Sequence, residues 1–145
     1  MLLHSIDANT PNVILPRALI HRLLYDADTA EGHEICGLIG RGTDLNCNYY
    51  PVVNIAEDPA RLFSMDPAQQ IAALRTMRER NETLYAIYHS HPQSPAFPSL
   101  IDITEMAYSE ALYLIVSLET AGVLELRGFR LQDGGVTEVA LTGEP

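Results

Sequence analysis

The sequence contains no lysine and no tryptophan, and its nine basic side chains, all arginine, face nineteen acidic ones. The formal net charge of −10 argues against a protein that binds nucleic acid through phosphate contacts. The chain also lacks an apolar run of the ~20 residues that a membrane-spanning helix needs. Its first residues carry no basic flank and no signal-like segment. We therefore expect a cytoplasmic protein that binds neither nucleic acid nor a membrane.

Cysteine is scarce, with Cys36 and Cys47 as the only two examples. They form no CxxC pair and no disulfide framework. A hairpin turn at residues 42–44 would allow the two side chains to face each other across neighbouring strands. Even so, in the expected cytoplasmic setting we predict two reduced, buried thiols. Whether either thiol has a functional role stays open.

The composition is that of an ordinary globular chain, with 47% hydrophobic and 19% charged residues in a length of 145. Such a chain can bury a core of its own, and we predict a single domain over residues 1–145. Hydrophobic periodicity predicts the element order β-α-β-β-α-β-α-β-β-β. Predicted strands cover 12–15, 34–40, 45–54, 84–91, 112–118, 122–132 and 136–141, and predicted helices cover about 16–30, 99–109 and a segment starting at 66–67. This order predicts an α+β domain with helices packed on one mixed sheet.

The start and the buried face of the second predicted helix can be read from individual residues. Asp66-Pro67 is a strong helix start, with the aspartate as N-cap and proline at the first helical position. Ile71, Leu74 and Met77 are predicted to form the buried face of that helix.

Two histidines lie at the end of the strand that begins with Leu84. Side chains at i and i+2 of a strand point to the same face, so His89 and His91 should project together. Pro92 cannot donate a hydrogen bond and ends the strand. Asp102 follows one turn inside the next predicted helix. Two imidazoles and one carboxylate, with a fourth position left for water, are typical of a catalytic zinc site.

Each piece of this pattern also has an ordinary structural interpretation. Histidines at i and i+2 can be polar surface residues. Ser99 and Asp102 at a helix start match a capping box, and one serine hydroxyl could not readily both cap the helix and contact a substrate. Glu34, at the entrance to an early strand, could simply be solvated.

The combination is more specific than its parts. Glu34 precedes Gly37-Leu38, and His89-Ser90-His91-Pro92 gives the pattern His-x-His-Pro. Ser99 and Asp102 give Ser-x-x-Asp, with seven residues between His91 and Ser99. Together these residues resemble the JAMM (MPN+, Mov34/MPN/PAD-1) zinc metalloprotease family, in its short prokaryotic form. No motif position departs from the family pattern.

The resemblance implies a fold and a set of residue roles. The fold would be α+β and MPN/JAMM-like (cytidine-deaminase-like), with helices on a mixed β-sheet. His89, His91 and Asp102 would bind Zn²⁺, and a water would complete the tetrahedron. Glu34 would act as general base toward that water, and Ser99 would hydrogen-bond the developing oxyanion.

The resemblance also implies a substrate class. Short prokaryotic members cleave after the Gly-Gly tail of ubiquitin-like sulfur carrier proteins, and such a carrier is the expected partner of a monomer or homodimer. Three alternatives stay open: a binding module that keeps its metal, a scaffold with a structural metal, and a more general deconjugase or small-peptide hydrolase. The identity of the carrier, the leaving group and the pathway cannot be read from the sequence.

Overall fold

The computed structural model describes residues 2–3, 12–104, 107–119, 123–132 and 134–144. These residues form eight strands and three helices. In chain order they are β1 (Leu2–Leu3), β2 (Asn12–Pro16), α1 (Arg17–Asp28), β3 (Cys36–Arg41), β4 (Cys47–Val52), α2 (Pro67–Glu79), β5 (Thr83–His91), α3 (Leu100–Thr104), β6 (Leu112–Ser117), β7 (Glu125–Gln132) and β8 (Gly135–Glu144). None of these helices is long and apolar enough to cross a membrane.

The strands form one mixed sheet in the order β2-β8-β7-β6-β5-β3-β4, with β1 paired to β7. β5 lies inside the sheet, antiparallel to β3 and parallel to β6. At the end of β5, His89 lies opposite Cys36 on one side and Ile115 on the other. The predicted α+β architecture with one mixed sheet is therefore confirmed.

The two faces of the sheet have separate hydrophobic cores. On one face, α1 packs against a cluster that includes Ala86 and Tyr88 of β5. On the other face, α2 packs against a cluster that includes Ile87. Because side chains alternate along a strand, His89 and His91 share the face of Ile87 and point toward the α2 side.

The start of α2 was predicted correctly, and its predicted buried face is correct for Met77 and for the partly buried Leu74 but wrong for Ile71. Asp66 caps the helix by accepting a hydrogen bond from the Gln69 backbone N–H at 3.0 Å. The side chains buried on the sheet are Ala73 and Met77, whereas Ile71 is 57% exposed. Successive helical residues advance by about 100°, so Ile71 lies about 200° around the helix from Ala73.

Several predicted boundaries shift by a few residues for local reasons. β4 begins at Cys47 rather than residue 45 because Leu45 has a φ of 68°, which an extended strand cannot accommodate. α1 begins at Arg17, with Pro16 as its N-cap. α3 covers Leu100–Thr104, and Ala107 and Tyr108 of the predicted helix are not helical, while its residues 105–106 lie outside the described residues. Of the predicted turn at 133–135, Asp133 lies outside the described residues, as does Gly122 of the strand before it.

The predicted hairpin forms between β3 and β4, but it separates the two cysteines. Cys36 lies opposite Val52 and Cys47 lies opposite Arg41, at the two ends of the hairpin. Cys36 is buried, Cys47 is half-buried and both are free. Burial raises the pKa of the Cys36 thiol to about 12, which makes it a poor nucleophile.

Candidate metal centre

Three side-chain atoms from β5 and α3 form a compact triangle. His89 Nε2 lies 3.0 Å from His91 Nε2 and 3.1 Å from Asp102 Oδ2, and the third edge, from His91 Nε2 to Asp102 Oδ2, is 3.4 Å. Ligand atoms at ~2.0–2.1 Å from a tetrahedral zinc ion lie about 3.3 Å from one another. The triangle therefore has the size of one face of such a coordination shell, and these residues fit a metal ion.

The histidine rings are held with Nε2 toward the triangle. His91 Nδ1 lies 2.7 Å from the Pro95 carbonyl oxygen. A carbonyl can only accept, so Nδ1 carries the proton and Nε2 presents a lone pair when the ring is neutral. The His89 ring is stacked on Phe63 at a centroid distance of 4.4 Å. Its Nδ1 is buried and has no hydrogen-bond partner within the described part of the chain.

The ionised carboxyl group of Asp102 and the neutral ring of His89 also suit a cation. Burial opposes ionisation of Asp102, but hydrogen bonds with His89 and His91 hold the pKa of this carboxyl well below its usual range. Burial lowers the pKa of His89, which favours the neutral ring. Burial acts the same way on His91, but its bonds to Asp102 and the Pro95 carbonyl outweigh it and raise the pKa. A carboxylate and a neutral imidazole are the forms that bind metal.

Glu34 lies beside the triangle, just before β3. It is 4% exposed, and it offers a carboxylate oxygen within 4.8 Å of a ring nitrogen of both His89 and His91. Burial raises the pKa of Glu34 to about 7, with His91 lowering it and Asp102 raising it further. A buried carboxyl group with a pKa near neutrality is suited to proton transfer.

The backbone of the Glu34 segment is fixed to β5. The Ile35 N–H donates to Ser90 Oγ at 3.0 Å, and the Ser90 N–H donates to the Ile35 carbonyl at 3.0 Å. Ser90 points away from the two histidines, so its hydroxyl is free to bind this neighbouring segment. The residue between the two histidines thus places Glu34 beside them.

Asn54 is a residue that the sequence analysis missed. Its Nδ2 donates to the carbonyls of Glu34 and Leu62, both at 2.9 Å. Its Oδ1 accepts from the N–H groups of Ala56 at 3.0 Å and Ser64 at 2.9 Å. One amide therefore binds the Glu34 backbone and also closes the loop that carries Phe63. The available signal was an amide side chain between a strand and a long loop, a pattern too common to single it out.

Ser99 and Asp102 form the predicted capping box. Ser99 Oγ accepts from the Asp102 N–H at 3.0 Å, and Asp102 Oδ2 accepts from the Ser99 N–H at 2.8 Å. The expectation that this hydroxyl could not serve two partners needs correction. Capping uses a lone pair of the oxygen, and the hydroxyl proton is still available for donation to a substrate.

Known proteins similar to this chain include a protein family and two enzymes. A model of the Prok-JAB family, described as prokaryotic homologs of the JAB domain, matches residues 16–131. The CysO-cysteine peptidase of Mycobacterium tuberculosis is 31% identical over 132 residues, which cover 89% of this chain and 90% of that protein. The probable TtuB-protein conjugate cleaving protease of Thermus thermophilus is 38% identical over 91 residues, which cover 63% of this chain and 56% of that protein.

Solved structures agree with the family match. The solution structure of protein DSY2949 from Desulfitobacterium hafniense matches with a TM-score of 0.77 and 31% identity, over 90% of this chain and 92% of that one. The JAB1/MPN domain protein AF2198 from Archaeoglobus fulgidus shares the fold, with a TM-score of 0.54 and 17% identity over 89% of this chain and 97% of that one. The two relatives named above are a peptidase and a protease, which confirms the predicted enzyme class, a JAMM-type hydrolase. The chain belongs to the Prok-JAB family, the prokaryotic homologs of the JAB domain.

Proposed function

We propose that this chain is a zinc-dependent peptidase that cleaves after the Gly-Gly tail of a ubiquitin-like sulfur carrier protein. The observation that carries the proposal is the triangle of His89, His91 and Asp102 with the buried Glu34 beside it. The names of the two relatives, which refer to a CysO–cysteine substrate and to TtuB–protein conjugates, support the carrier as substrate.

In this proposal His89 Nε2, His91 Nε2 and Asp102 Oδ2 would hold the metal. When bound, Zn²⁺ supplies a Lewis acid that lowers the pKa of a coordinated water and polarises a carbonyl. With Glu34 acting as base and not as a ligand, three protein ligands would remain, as in catalytic zinc sites, whereas structural sites normally use four. The donor set therefore favours an enzyme over a scaffold with a structural metal.

The other two site residues handle the proton and the oxyanion. Glu34 takes a proton from the attacking water and passes it to the nitrogen of the leaving amine. Ser99 keeps Asp102 in place through the capping box and donates its hydroxyl proton to the developing oxyanion. A single donor of this kind is worth ~3 kcal/mol of transition-state stabilisation in comparable sites.

The test uses a purified carrier protein extended beyond its Gly-Gly tail. Zinc-loaded wild type should release the extension, and Glu34→Gln, which keeps the shape of the side chain but cannot act as a base, should lose ~10²–10⁴-fold in kcat. Zinc content is measured for both proteins as the control. An intact carrier with the loaded wild type, or equal rates for the two proteins, would contradict the proposal. Zinc retained without activity in the wild type would favour the binding module.

A second substrate class is an isopeptide-linked protein conjugate. It is favoured by the T. thermophilus relative, whose name specifies conjugate cleavage. Parallel assays of a carrier–protein conjugate, a ubiquitin chain and a short peptide would separate a carrier-specific enzyme from a general deconjugase or small-peptide hydrolase. A single domain over residues 1–145, a cytoplasmic location and a monomeric or homodimeric state stay predictions.

A further inference from the structure

A cavity of about 220 Å³ lies directly beside the metal centre. His89 and Asp102 form part of its wall, while Glu34, His91 and Ser99 do not. The cavity is smaller than the ~300–1,000 Å³ typical of sites for drug-sized ligands. It therefore has room for a single amino-acid side chain next to the reacting bond.

The wall of the cavity combines apolar side chains with a slightly smaller polar share, which includes Ser64, Gln70 and Tyr113. Leu62, Phe63 and Met65 from the loop before α2 line it together with Ile101 of α3 and Tyr108. A hydrogen bond from Gln70 Nε2 to Tyr108 Oη, 2.9 Å long, ties α2 to the segment after α3. This bond connects two parts of the wall that are 38 residues apart in sequence.

The described residues of the cavity wall include no arginine that could pair with a negatively charged substrate group. Asp102 is the one carboxylate among the described lining residues, and it would repel a negatively charged side chain. A buried charge without a partner carries a large desolvation cost. A carboxylate side chain would therefore be rejected, whereas an apolar or thioether side chain would be accepted.

We propose that this cavity binds the side chain of the residue released by cleavage, and that it selects a side chain of medium size without a carboxylate. This inference rests on the proposed function. There, the residues on the acyl side of the scissile bond are two glycines, which have no side chain to place in a cavity. The nearest side chain that can enter is the one on the leaving side. The preferred substrate is thus a carrier ending in Gly-Gly-X, where X is an amino acid such as leucine or methionine.

A panel of carriers with different X tests this selection on the zinc-loaded wild type. Leucine and aspartate form a matched pair, because their side chains have the same branching and differ in charge, and glycine serves as the reference without a side chain. We expect kcat/KM for leucine to exceed that for glycine by about tenfold or more, since one methylene group in an apolar pocket changes discrimination by ~10–200-fold. Aspartate should be cleaved no better than glycine.

A pocket-filling variant makes the test specific to this cavity. Ala107→Leu adds three carbons at the cavity wall, and Ala72→Leu makes the same change at an exposed position of α2 outside it. The leucine-to-glycine ratio of kcat/KM should fall about tenfold in Ala107→Leu. Ala72→Leu should keep the wild-type ratio. Using a ratio removes any general loss of activity from the comparison.

The possible outcomes distinguish a failure of the cavity inference from a failure of the proposed function. If no carrier is cleaved whatever X is, the proposed function fails. If all carriers are cleaved with equal efficiency, or if Ala107→Leu leaves the ratio unchanged, the cavity does not bind the leaving residue. The wild-type panel decides the inference by itself if Ala107→Leu does not fold.

Discussion

The metal-binding residues come from two regions that are held in place in different ways. His89 and His91 lie on β5, inside the sheet between β3 and β6, and are 1% and 3% exposed. Asp102 lies on α3, a five-residue helix that buries none of its residues. Leu100 and Ile101 of this helix are 76% and 45% exposed. The histidine pair is therefore placed by the fold, and the carboxylate by local hydrogen bonds.

This difference shows how much of the site exists before metal binds. A helix of five residues is not stable by itself, because nucleation costs more than so few hydrogen bonds return. The capping box with Ser99 and the contacts with the two histidines hold Asp102 at the triangle. We therefore expect β5 to be pre-organised and α3 to depend on the metal.

The largest difference should appear when the two kinds of ligand are removed in turn. His91→Ala removes a pre-organised ligand and should abolish tight zinc binding. Asp102→Asn keeps an oxygen that can accept from the Ser99 N–H, so the helix cap survives while the charge is lost. We expect weakened but measurable zinc binding in this variant, determined by competition with a chromogenic chelator. Equal affinities of the two variants would contradict the distinction between the regions.

A variant of Asn54 tests how Glu34 is held in position. Asn54→Ala removes the bonds to the Glu34 carbonyl and to the Phe63 loop without touching a metal ligand. Zinc content should stay near the wild-type level while kcat falls by ~10–100-fold, the usual range for a supporting residue. Asn48→Ala, an exposed asparagine in β4, is the matched control. A loss of zinc together with activity in Asn54→Ala would show a general structural role instead.

Metal removal should affect one region and spare the other. After dialysis against a chelator, amide hydrogen exchange should accelerate in residues 99–104 and change little in β5, whose amides belong to the sheet. Exchange measured by mass spectrometry on loaded and metal-free protein checks this. Equal loss of protection in both segments would mean that the metal supports the whole end of the sheet.

The smallest effect concerns the two roles of Ser99. Ser99→Ala removes the cap, at a cost of ~0.5–2 kcal/mol, whereas glycine at an N-cap costs only a few tenths. Zinc affinity should therefore drop in Ser99→Ala and recover in Ser99→Gly. Both variants lack the hydroxyl, so kcat should stay low in both if Ser99 contacts the oxyanion. Recovery of kcat in Ser99→Gly would restrict Ser99 to capping.

What the sequence could predict about this site follows from local geometry. The alternation of a strand is sufficient to place His89 and His91 on one face, and the Ser-x-x-Asp spacing is sufficient for the capping box. The hydrogen bonds of Asn54 could not be predicted, because they depend on where the fourteen-residue connection between β4 and α2 folds back. The same holds for Ile71, whose exposure is set by the rotation of α2 on the sheet. The cavity beside His89 is assembled from segments far apart in the chain, so no local pattern indicates it.

The most direct test of the metal centre is the zinc content of the purified protein. Native mass spectrometry would compare wild type, prepared without chelator, with His89→Ala and Asp102→Ala. We predict about one zinc per wild-type chain and none in His89→Ala, with Asp102→Ala binding weakly or not at all. A metal-free wild type, or variants that keep one tightly bound zinc each, would contradict the proposed ligand set.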